Sequence, residues 1–122
     1  MSDSDCLFCR IVAGEIPADK VLETDEALVF RDIAPQAPVH LLAIPKRHLE
    51  SIAEVGEDDA DLLTALVAAA NAAGKAELGD RGYRIATNVG EEAGQTVFHL
   101  HLHIMGGAPL GPLAVTDTKG RD

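Results

Sequence analysis

Residues 99–105 read His-Leu-His-Leu-His-Ile-Met, and this strict alternation of imidazole with aliphatic side chains decides the fold that we expect for the chain. Successive side chains of a β-strand point to opposite faces of its sheet. His99, His101 and His103 therefore share one face, whereas the aliphatic residues between them share the other. Because three of the five histidines in the chain lie here, we interpret the histidine face as a site of chemistry and not as an ordinary polar surface.

One metal ion cannot bind these three histidines together. At a rise of about 3.3 Å per residue, His99 and His103 are about 13 Å apart along an extended strand. Nitrogen ligands lie about 2.1 Å from a zinc ion. A metal centre made of all three histidines is therefore excluded.

The composition is that of a single domain with an aliphatic core. The chain has 122 residues, of which 47% are hydrophobic and only 3% are aromatic. Its formal net charge of -10 argues against a nucleic acid as partner, because phosphate backbones are bound by basic surfaces. No stretch approaches the ~20 apolar residues of a membrane span, and the N-terminus has no basic segment followed by an apolar run. We expect a soluble, cytoplasmic protein that binds no membrane.

Apolar periodicity and chain breakers predict the remaining elements. A short helix carries Leu7, Phe8, Ile11 and Val12, with Asp5 as its N-cap and with Gly14 and Pro17 after its end. Strands are expected at residues 21–23, 28–32, 39–44, 83–88 and 98–105, and one long helix at residues 58–78, ending at Gly79. This order favours an α+β domain, in which an antiparallel sheet of about five strands carries the helices on one face and the histidines on the other. We expect the domain to span residues 1–107 and residues 108–122 to form a C-terminal arm or loop.

The segment before the histidine strand is a candidate phosphate site. Residues 90–96 read Gly-Glu-Glu-Ala-Gly-Gln-Thr, and glycines beside a strand let backbone N–H groups approach an anion closely. An ordinary hairpin loop with two glycines is the alternative. The position of the loop directly before His99 favours the phosphate site.

Two further motifs complete a pattern that resembles a known family. Residues 32–38 read Asp-Ile-Ala-Pro-Gln-Ala-Pro, and residues 44–48 read Ile-Pro-Lys-Arg-His. Together with the 99–105 strand they resemble the histidine triad (HIT) family, and within it the Hint-like branch of histidine triad nucleotide-binding proteins. The resemblance extends over residues 6–107. It implies a HIT-like fold that forms a homodimer through the long helix and the 83–88 strand, and it implies hydrolysis of nucleoside 5′-phosphoramidates or related nucleotidyl bonds.

The resemblance also implies roles for the catalytic residues. His101 corresponds to the nucleophile, which attacks the α-phosphorus and forms a nucleotidyl-histidine intermediate without a catalytic metal. Imidazole suits this role, because its reference pKa of ~6.5 leaves it largely neutral at pH 7. The other ring nitrogen of His101 is expected to donate to a backbone carbonyl. His103 is expected to bind the phosphate and to carry a proton to the leaving group, and Thr96 to offer its hydroxyl there.

The same resemblance implies the substrate-binding residues of a purine nucleotide similar to AMP. Asn88 and the N–H groups of Gly94 and Gln95 are expected to hold phosphoryl oxygens. Asp32 is expected to accept hydrogen bonds from both ribose hydroxyls. The base would lie between apolar walls formed by Phe8, Ile11, Phe30 and Ile33.

Cys6 and Cys9 are spaced as a chelating pair. The resemblance implies a structural zinc whose other ligands are His48 and His99, a closed site that is expected to lie away from the phosphate. A redox pair and two core thiols are the alternatives. His40 has no expected partner and is interpreted as a core histidine.

Other functions fit the same pocket. An AMP-binding regulatory module with vestigial turnover belongs to a different class, and a nucleotidyl transferase or a dinucleoside polyphosphate hydrolase is chemically closer. Residues 108–122 depart from the C-terminal segment of the eukaryotic Hint proteins, so the resemblance does not extend to leaving-group preference.

Overall fold

The computed structural model describes residues 5–114 of the chain. Its strands are β1 (Lys20–Glu23), β2 (Ala27–Arg31), β3 (Val39–Pro45), β4 (Arg84–Ala86) and β5 (Leu102–Gly106). Its α-helices are α1 (Leu7–Val12) and α2 (Ala60–Leu78), and short 3-10 turns cover Ile52–Glu54, Glu57–Asp59 and Gly79–Arg81.

The strands form one antiparallel sheet in the order β1-β2-β3-β5-β4. The five-stranded antiparallel sheet and the single long helix are as predicted. β3 occupies the centre, and six of its seven residues are buried. Such a continuous apolar strand is typical of a sheet that is covered on both faces.

Helix α2 covers one face of the sheet. It follows the acidic turn Glu57–Asp59, which suits the positive end of a helix, and it ends at Gly79, whose φ of 58° favours glycine. Three of its six buried residues are alanines, which pack with Leu66 against β2, β3 and β5. The core beneath this helix is aliphatic, as predicted from the composition.

Helix α1 lies on the opposite face, so the prediction that both helices share one face was wrong. Phe8 and Ile11 pack with Leu28, Phe30, Leu42 and Ile44 in a second apolar cluster. Residues 27–30 of β2 are all buried, and this strand therefore needs a covering layer on each side. The cleft described below forms beneath α1, on the face that carries the histidines.

The N-cap of α1 is Cys6 and not Asp5. The Cys6 sulfur accepts a hydrogen bond from the backbone N–H of Cys9 at 3.3 Å. The predicted apolar side of the helix is also narrower than expected, because Leu7 is 44% exposed. A thiol thus takes the usual place of a capping oxygen, and the same sulfur contacts His99 Nδ1.

The histidine segment is extended, but its ladder is shorter than predicted. β5 begins at Leu102, because residues 99–101 bond to single groups and not to a neighbouring strand. The Leu100 N–H donates to the Leu49 carbonyl at 2.7 Å, and the Thr87 hydroxyl donates to the His101 carbonyl at 2.7 Å. The alternation still holds, since Leu100, Leu102 and Ile104 all pack on the α2 side.

The beginning of the predicted C-terminal arm is hydrogen-bonded to the sheet, because Arg84 of β4 donates to the Gly111 carbonyl at 2.7 Å. Just before the arm, Arg81 donates to the Gly107 carbonyl at 2.8 Å. Residues 115–122 of the predicted arm lie outside the described residues. Between residues 5 and 114, neither helix is both long and apolar enough to cross a lipid bilayer.

Candidate active site and metal-ligand cluster

A cleft of about 280 Å³ lies between α1 and the sheet. Its walls are mainly apolar, and polar side chains gather at its edge, an arrangement typical of small-molecule sites. Eight of the predicted site residues line it, namely Phe8, Ile11, Phe30, Asp32, Ile33, Thr96, His101 and His103. Ile33 is fully exposed, so it adds little to the buried part of the apolar wall.

His101 is buried and is held in one tautomer. Its Nδ1 lies 2.7 Å from the carbonyl oxygen of His99. A carbonyl can only accept, so Nδ1 carries the proton and a neutral ring has its lone pair on Nε2. The edge of the Phe8 ring packs against the imidazole, with 5.2 Å between ring centroids. Nε2 is thus the nitrogen that His101 offers to the cleft.

His103 is oriented by a chain of hydrogen bonds that begins in the backbone. The N–H of Gln36 donates to His40 Nδ1 at 2.9 Å, so the proton of a neutral His40 lies on Nε2. That nitrogen is 2.9 Å from His103 Nδ1, which therefore accepts. A neutral His103 consequently carries its proton on Nε2 and can donate it in a hydrogen bond to a ligand.

The same chain includes Asp32. Its Oδ2 lies 3.4 Å from His40 Nε2, and its Oδ1 accepts from the Ala34 N–H at 2.8 Å. His40 is buried, as expected, but it belongs to the site and is not an isolated core residue. The antiparallel register of β3 and β5 explains this position, because it pairs Leu42 with His103 and so places His40 diagonally opposite His103.

The imidazoles of His40 and His103 are both neutral at pH 7. Burial, together with the neighbouring His101 and His40 rings, lowers the pKa of His103 to about 4, against the opposing effect of Asp32. Burial also lowers the pKa of His40, again opposed by Asp32. His103 is therefore suited to donate a hydrogen bond at neutral pH, and its role in carrying a proton to the leaving group stays a prediction.

The glycine loop is arranged differently from the predicted phosphate cradle. The N–H groups of Gly94 and Gln95 donate to the carbonyls of Glu91 and Gly90, each at 3.0 Å. The Gln95 side chain is buried and bonds Gly90, Glu50 and Val97. Asn88, Gly94 and Gln95 are not among the residues that line the cleft. Gln95 thus fixes the loop in place, whereas Thr96 at its end is exposed and lines the cleft.

Four side chains of the kinds that bind metal ions lie close together, and His99 is one of them. His99 Nδ1 lies 3.3 Å from Cys6 Sγ, 3.4 Å from Cys9 Sγ and 3.2 Å from His48 Nδ1. Cys9 Sγ is 3.3 Å from His48 Nδ1. We refer to Cys6, Cys9, His48 and His99 as the ligand cluster.

The ligand cluster fits a tetrahedral cation. His99 Nε2 donates to the Pro45 carbonyl at 2.8 Å, so Nδ1 of a neutral ring presents a lone pair to the other three atoms. A single proton can bridge only one of those contacts, whereas a cation meets all four. With bonds of about 2.1 Å to nitrogen and 2.3 Å to sulfur, a tetrahedral zinc site has ligand-to-ligand edges of about 3.4 to 3.8 Å. The observed separations are close to these edges.

The comparisons with known proteins agree with this architecture. Residues 5–112 match the family described as "Scavenger mRNA decapping enzyme C-term binding". A HIT-like protein of Synechococcus elongatus is 45% identical over 106 residues, which are 87% of this chain and 93% of the relative.

The chain belongs to the HIT family.

Two solved HIT structures show how far the similarity extends. A HIT family hydrolase from Clostridium thermocellum is 41% identical with a TM-score of 0.84, covering 91% of this chain and 97% of its own. A histidine triad protein from Clostridium difficile is 38% identical with a TM-score of 0.86, covering 93% and 100%. The HIT fold assignment therefore rests on both sequence and structure.

Within this HIT domain the three alternating histidines have different surroundings. His99 belongs to the ligand cluster, His101 presents Nε2 to the cleft, and His103 is hydrogen-bonded to His40. Sequence reasoning missed Gln36, Pro45 and Thr87, each of which fixes a histidine by a hydrogen bond. Two of these contacts use backbone groups, which are present at every residue and leave no signal in the sequence.

Proposed function

We propose that this HIT protein is a nucleotide-binding hydrolase of the Hint-like branch, which cleaves nucleoside 5′-phosphoramidates or related nucleotidyl bonds. The observation that carries the proposal is the tautomer of His101, whose Nδ1 donates to the His99 carbonyl at 2.7 Å. A neutral ring held in this way directs the Nε2 lone pair at the cleft. Imidazole is both a nucleophile and a leaving group at phosphorus. The word hydrolase in the name of a solved relative agrees with this reaction class.

The reaction consists of two displacements at the α-phosphorus. His101 Nε2 forms a bond to phosphorus, and the bond from phosphorus to the leaving nitrogen breaks with its electron pair on that nitrogen, which is protonated from solvent and departs as an amine. The nucleotidyl imidazole keeps its proton on Nδ1, which continues to donate to the His99 carbonyl. Water then attacks phosphorus, the electron pair returns to Nε2, and the proton of water passes to solvent. The products are the amine and the nucleoside monophosphate.

His103 stabilises charge in both displacements. Its Nε2–H is directed by His40, and the low pKa of His103 keeps the ring neutral at pH 7. A neutral imidazole donor aimed at a phosphoryl oxygen strengthens as charge develops there and needs no reorganisation. Thr96 lines the same end of the cleft, where its hydroxyl can reach the phosphate or the leaving group.

The nucleoside would occupy the rest of the cleft. Asp32 is half-buried at its edge, and Phe8 and Phe30 pack edge to face at 5.5 Å within its wall. A carboxylate accepts from two ribose hydroxyls, and flat apolar walls suit a purine base. These features support an AMP-like ligand.

Turnover of adenosine 5′-phosphoramidate tests the function directly. We expect AMP as product, and we expect a base-quenched single turnover to leave one nucleotidyl group on the peptide that contains His101. Diadenosine polyphosphates are assayed in parallel, because faster cleavage of those substrates would identify a dinucleoside polyphosphate hydrolase. AMP binding without turnover of either substrate class would overturn the proposal in favour of a regulatory module.

We also propose that the ligand cluster holds a structural zinc ion. Two sulfur and two nitrogen ligands in tetrahedral arrangement are typical of zinc. When bound, the ion would tie α1 to the segments that carry His48 and His99, and thereby stabilise the fold. The test is metal content by elemental analysis of protein purified without chelators.

A homodimer through α2 and β4 is our third proposal. β4 is an edge strand, and its Ile85 is 38% exposed. On α2 a shallow apolar patch includes Leu63 and Val67, and the hydrogen bond from Tyr83 to Asn71 joins the two regions. An unpaired edge beside an apolar helix face is suited to a second copy of the chain. Light scattering of the wild type and of Val67→Asp tests it, with a monomeric wild type as the contrary outcome.

A further inference from the structure

His99 belongs to the ligand cluster and to the nucleophile at the same time. Its ring Nδ1 lies 3.3 Å from Cys6 Sγ and 3.4 Å from Cys9 Sγ. Its carbonyl oxygen, in the same residue, accepts the Nδ1–H of His101 at 2.7 Å. The group that sets the tautomer of His101 is therefore only a few bonds from the ring that the cysteines hold. The ligand cluster and the site of the nucleophile therefore share one residue.

Helix α1 provides a second connection between the same two sites. Cys6 caps the helix, because its sulfur accepts the Cys9 N–H at 3.3 Å. Phe8, within the first turn, packs its ring against His99 and His101, with centroids 5.9 Å and 5.2 Å apart. A change at the two sulfurs would therefore move the phenyl ring that packs on the nucleophile.

We infer that Cys6 and Cys9 are positioning residues for His101, in addition to being ligands. By fixing the His99 ring and the start of α1, they keep the His99 carbonyl where it selects the Nδ1–H tautomer of His101. The inference deepens the proposed function, on which the nucleophilic role of His101 rests. Loss of the cation, or oxidation of the thiols, would release that carbonyl and let His101 populate the Nε2–H tautomer.

The Nε2–H tautomer is inert because it presents no lone pair to the cleft. The rate of nucleotidyl transfer to His101 scales with the fraction of protein in the competent tautomer. The consequence is that the ligand cluster controls how much of the folded protein is active, and not only how much of the protein is folded. A purely structural cluster would affect the second quantity alone.

The experiment observes the Nδ1–H of His101 by nitrogen-15 NMR of histidine-labelled protein at one pH. The signal is assigned by its absence in His101→Gln. We expect it to be sharp in zinc-loaded wild type and to be lost after chelation and in Cys9→Ser. Cys9→His keeps a four-ligand set and should regain the signal on addition of zinc. Leu66→Ala is the matched control, because it weakens the core beneath α2 without contact with the cluster, and its signal should persist.

Replacement of zinc by cadmium keeps the test decisive if chelation or Cys9→Ser unfolds the domain. Cadmium forms longer bonds, and it should therefore shift the His101 Nδ1–H resonance more than the Nε2–H resonances of His40 and His103. A His101 signal that is unchanged by cadmium, and equally sharp in every folded form with and without metal, would overturn the inference. The readout requires no turnover, so a signal that follows the metal in a protein that cleaves no phosphoramidate would reject the proposed function and keep the positional coupling.

Discussion

Two pairs of facing imidazoles lie in this small domain, and their second partners give them different chemistry. The Nδ1 atoms of His48 and His99 are 3.2 Å apart, and His40 Nε2 is 2.9 Å from His103 Nδ1. Each pair has acidic or sulfur-bearing neighbours within ligating distance. The separation of the rings alone would not tell a proton-bridged pair from a pair of metal ligands.

The nitrogen on the far side of each ring makes the distinction. His40 Nδ1 accepts the N–H of Gln36, which puts one proton between His40 and His103 and makes that pair a hydrogen bond. His99 Nε2 donates to the Pro45 carbonyl, which leaves a lone pair facing two sulfurs and a nitrogen. The hydrogen-bond partner of one ring nitrogen, a donor or an acceptor, therefore decides whether the other nitrogen carries a proton or can bind a cation.

His101 connects the two pairs, and its removal should have the largest effect on activity. It bonds the His99 carbonyl on one side, and its ring centroid is 5.0 Å from that of His103 on the other. We expect His101→Ala to lower phosphoramidate turnover by more than about 1000-fold, the scale on which loss of a nucleophile acts. AMP affinity, measured by calorimetry, should stay within about tenfold, or ~1.4 kcal/mol. Retention of more than a few per cent of the wild-type rate would remove His101 from its assigned role.

The next largest expected effect is on metal content, which should depend on the ligand cluster and not on the His40–His103 pair. Cys9→Ser should lose the zinc and lower the melting temperature, whereas His40→Asn should keep the zinc. An ion present at about 100 times its dissociation constant stabilises the fold by about 2.7 kcal/mol. At about 4 °C per kcal/mol for a domain of this size, we expect a loss of about 10 °C. Calorimetry with elemental analysis checks this, and wild-type protein without zinc and with the same Tm as Cys9→Ser would contradict it.

The sequence predicted this comparison only in part, for physical reasons. The alternation in 99–105 predicts one face for three histidines because side-chain direction along an extended chain is a local property. The cysteine spacing and the acidic start of α2 are likewise local. Local signals of this kind were sufficient for the order of elements and for the sheet, whereas the residues that line the cleft were inferred from the resemblance to the HIT family.

The features that sequence reasoning missed depend on distant contacts. The placement of α1 depends on both faces of β2 being apolar, which the residues of α1 do not reveal. The role of His40 depends on the register between β3 and β5. The loop amides of Gly94 and Gln95 were predicted to face a phosphate, but short-range turn hydrogen bonds take them up. Such competition between partners is decided by three-dimensional geometry.

Two substitutions of His40 test the importance of its hydrogen bond to His103. Asparagine can imitate Nδ1 and accept from Gln36, but it is too short to reach His103. Glutamine can place an amide donor near the position of Nε2. A buried acceptor left without its donor costs about 1–3 kcal/mol, so we expect His40→Asn to lower the rate about tenfold or more. His40→Gln should lie closer to wild type, and both should keep the metal. Equal rates for the two variants would show that the hydrogen bond to His103 is not what His40 provides.

The smallest expected effect is on the pH dependence of stability, and it follows from the pKa of His103. In the folded protein this pKa is about 4, below its ordinary value of 6.5, mainly because of burial. Between these two pH values the unfolded chain binds more protons at His103 than the folded one, so the unfolding free energy falls as the pH falls through this window. Below about pH 4 this contribution stops changing. His103→Gln removes it, and other titrating groups cancel when the two proteins are compared. Between pH 6.5 and 5 the stability of wild type relative to His103→Gln should decline by about 1 kcal/mol, after allowance for solvent that screens the partly exposed ring. Urea denaturation at both pH values measures the difference. If the two proteins instead lose stability in parallel, His103 is not held neutral by its surroundings, and a proton-carrying role for it becomes the better description.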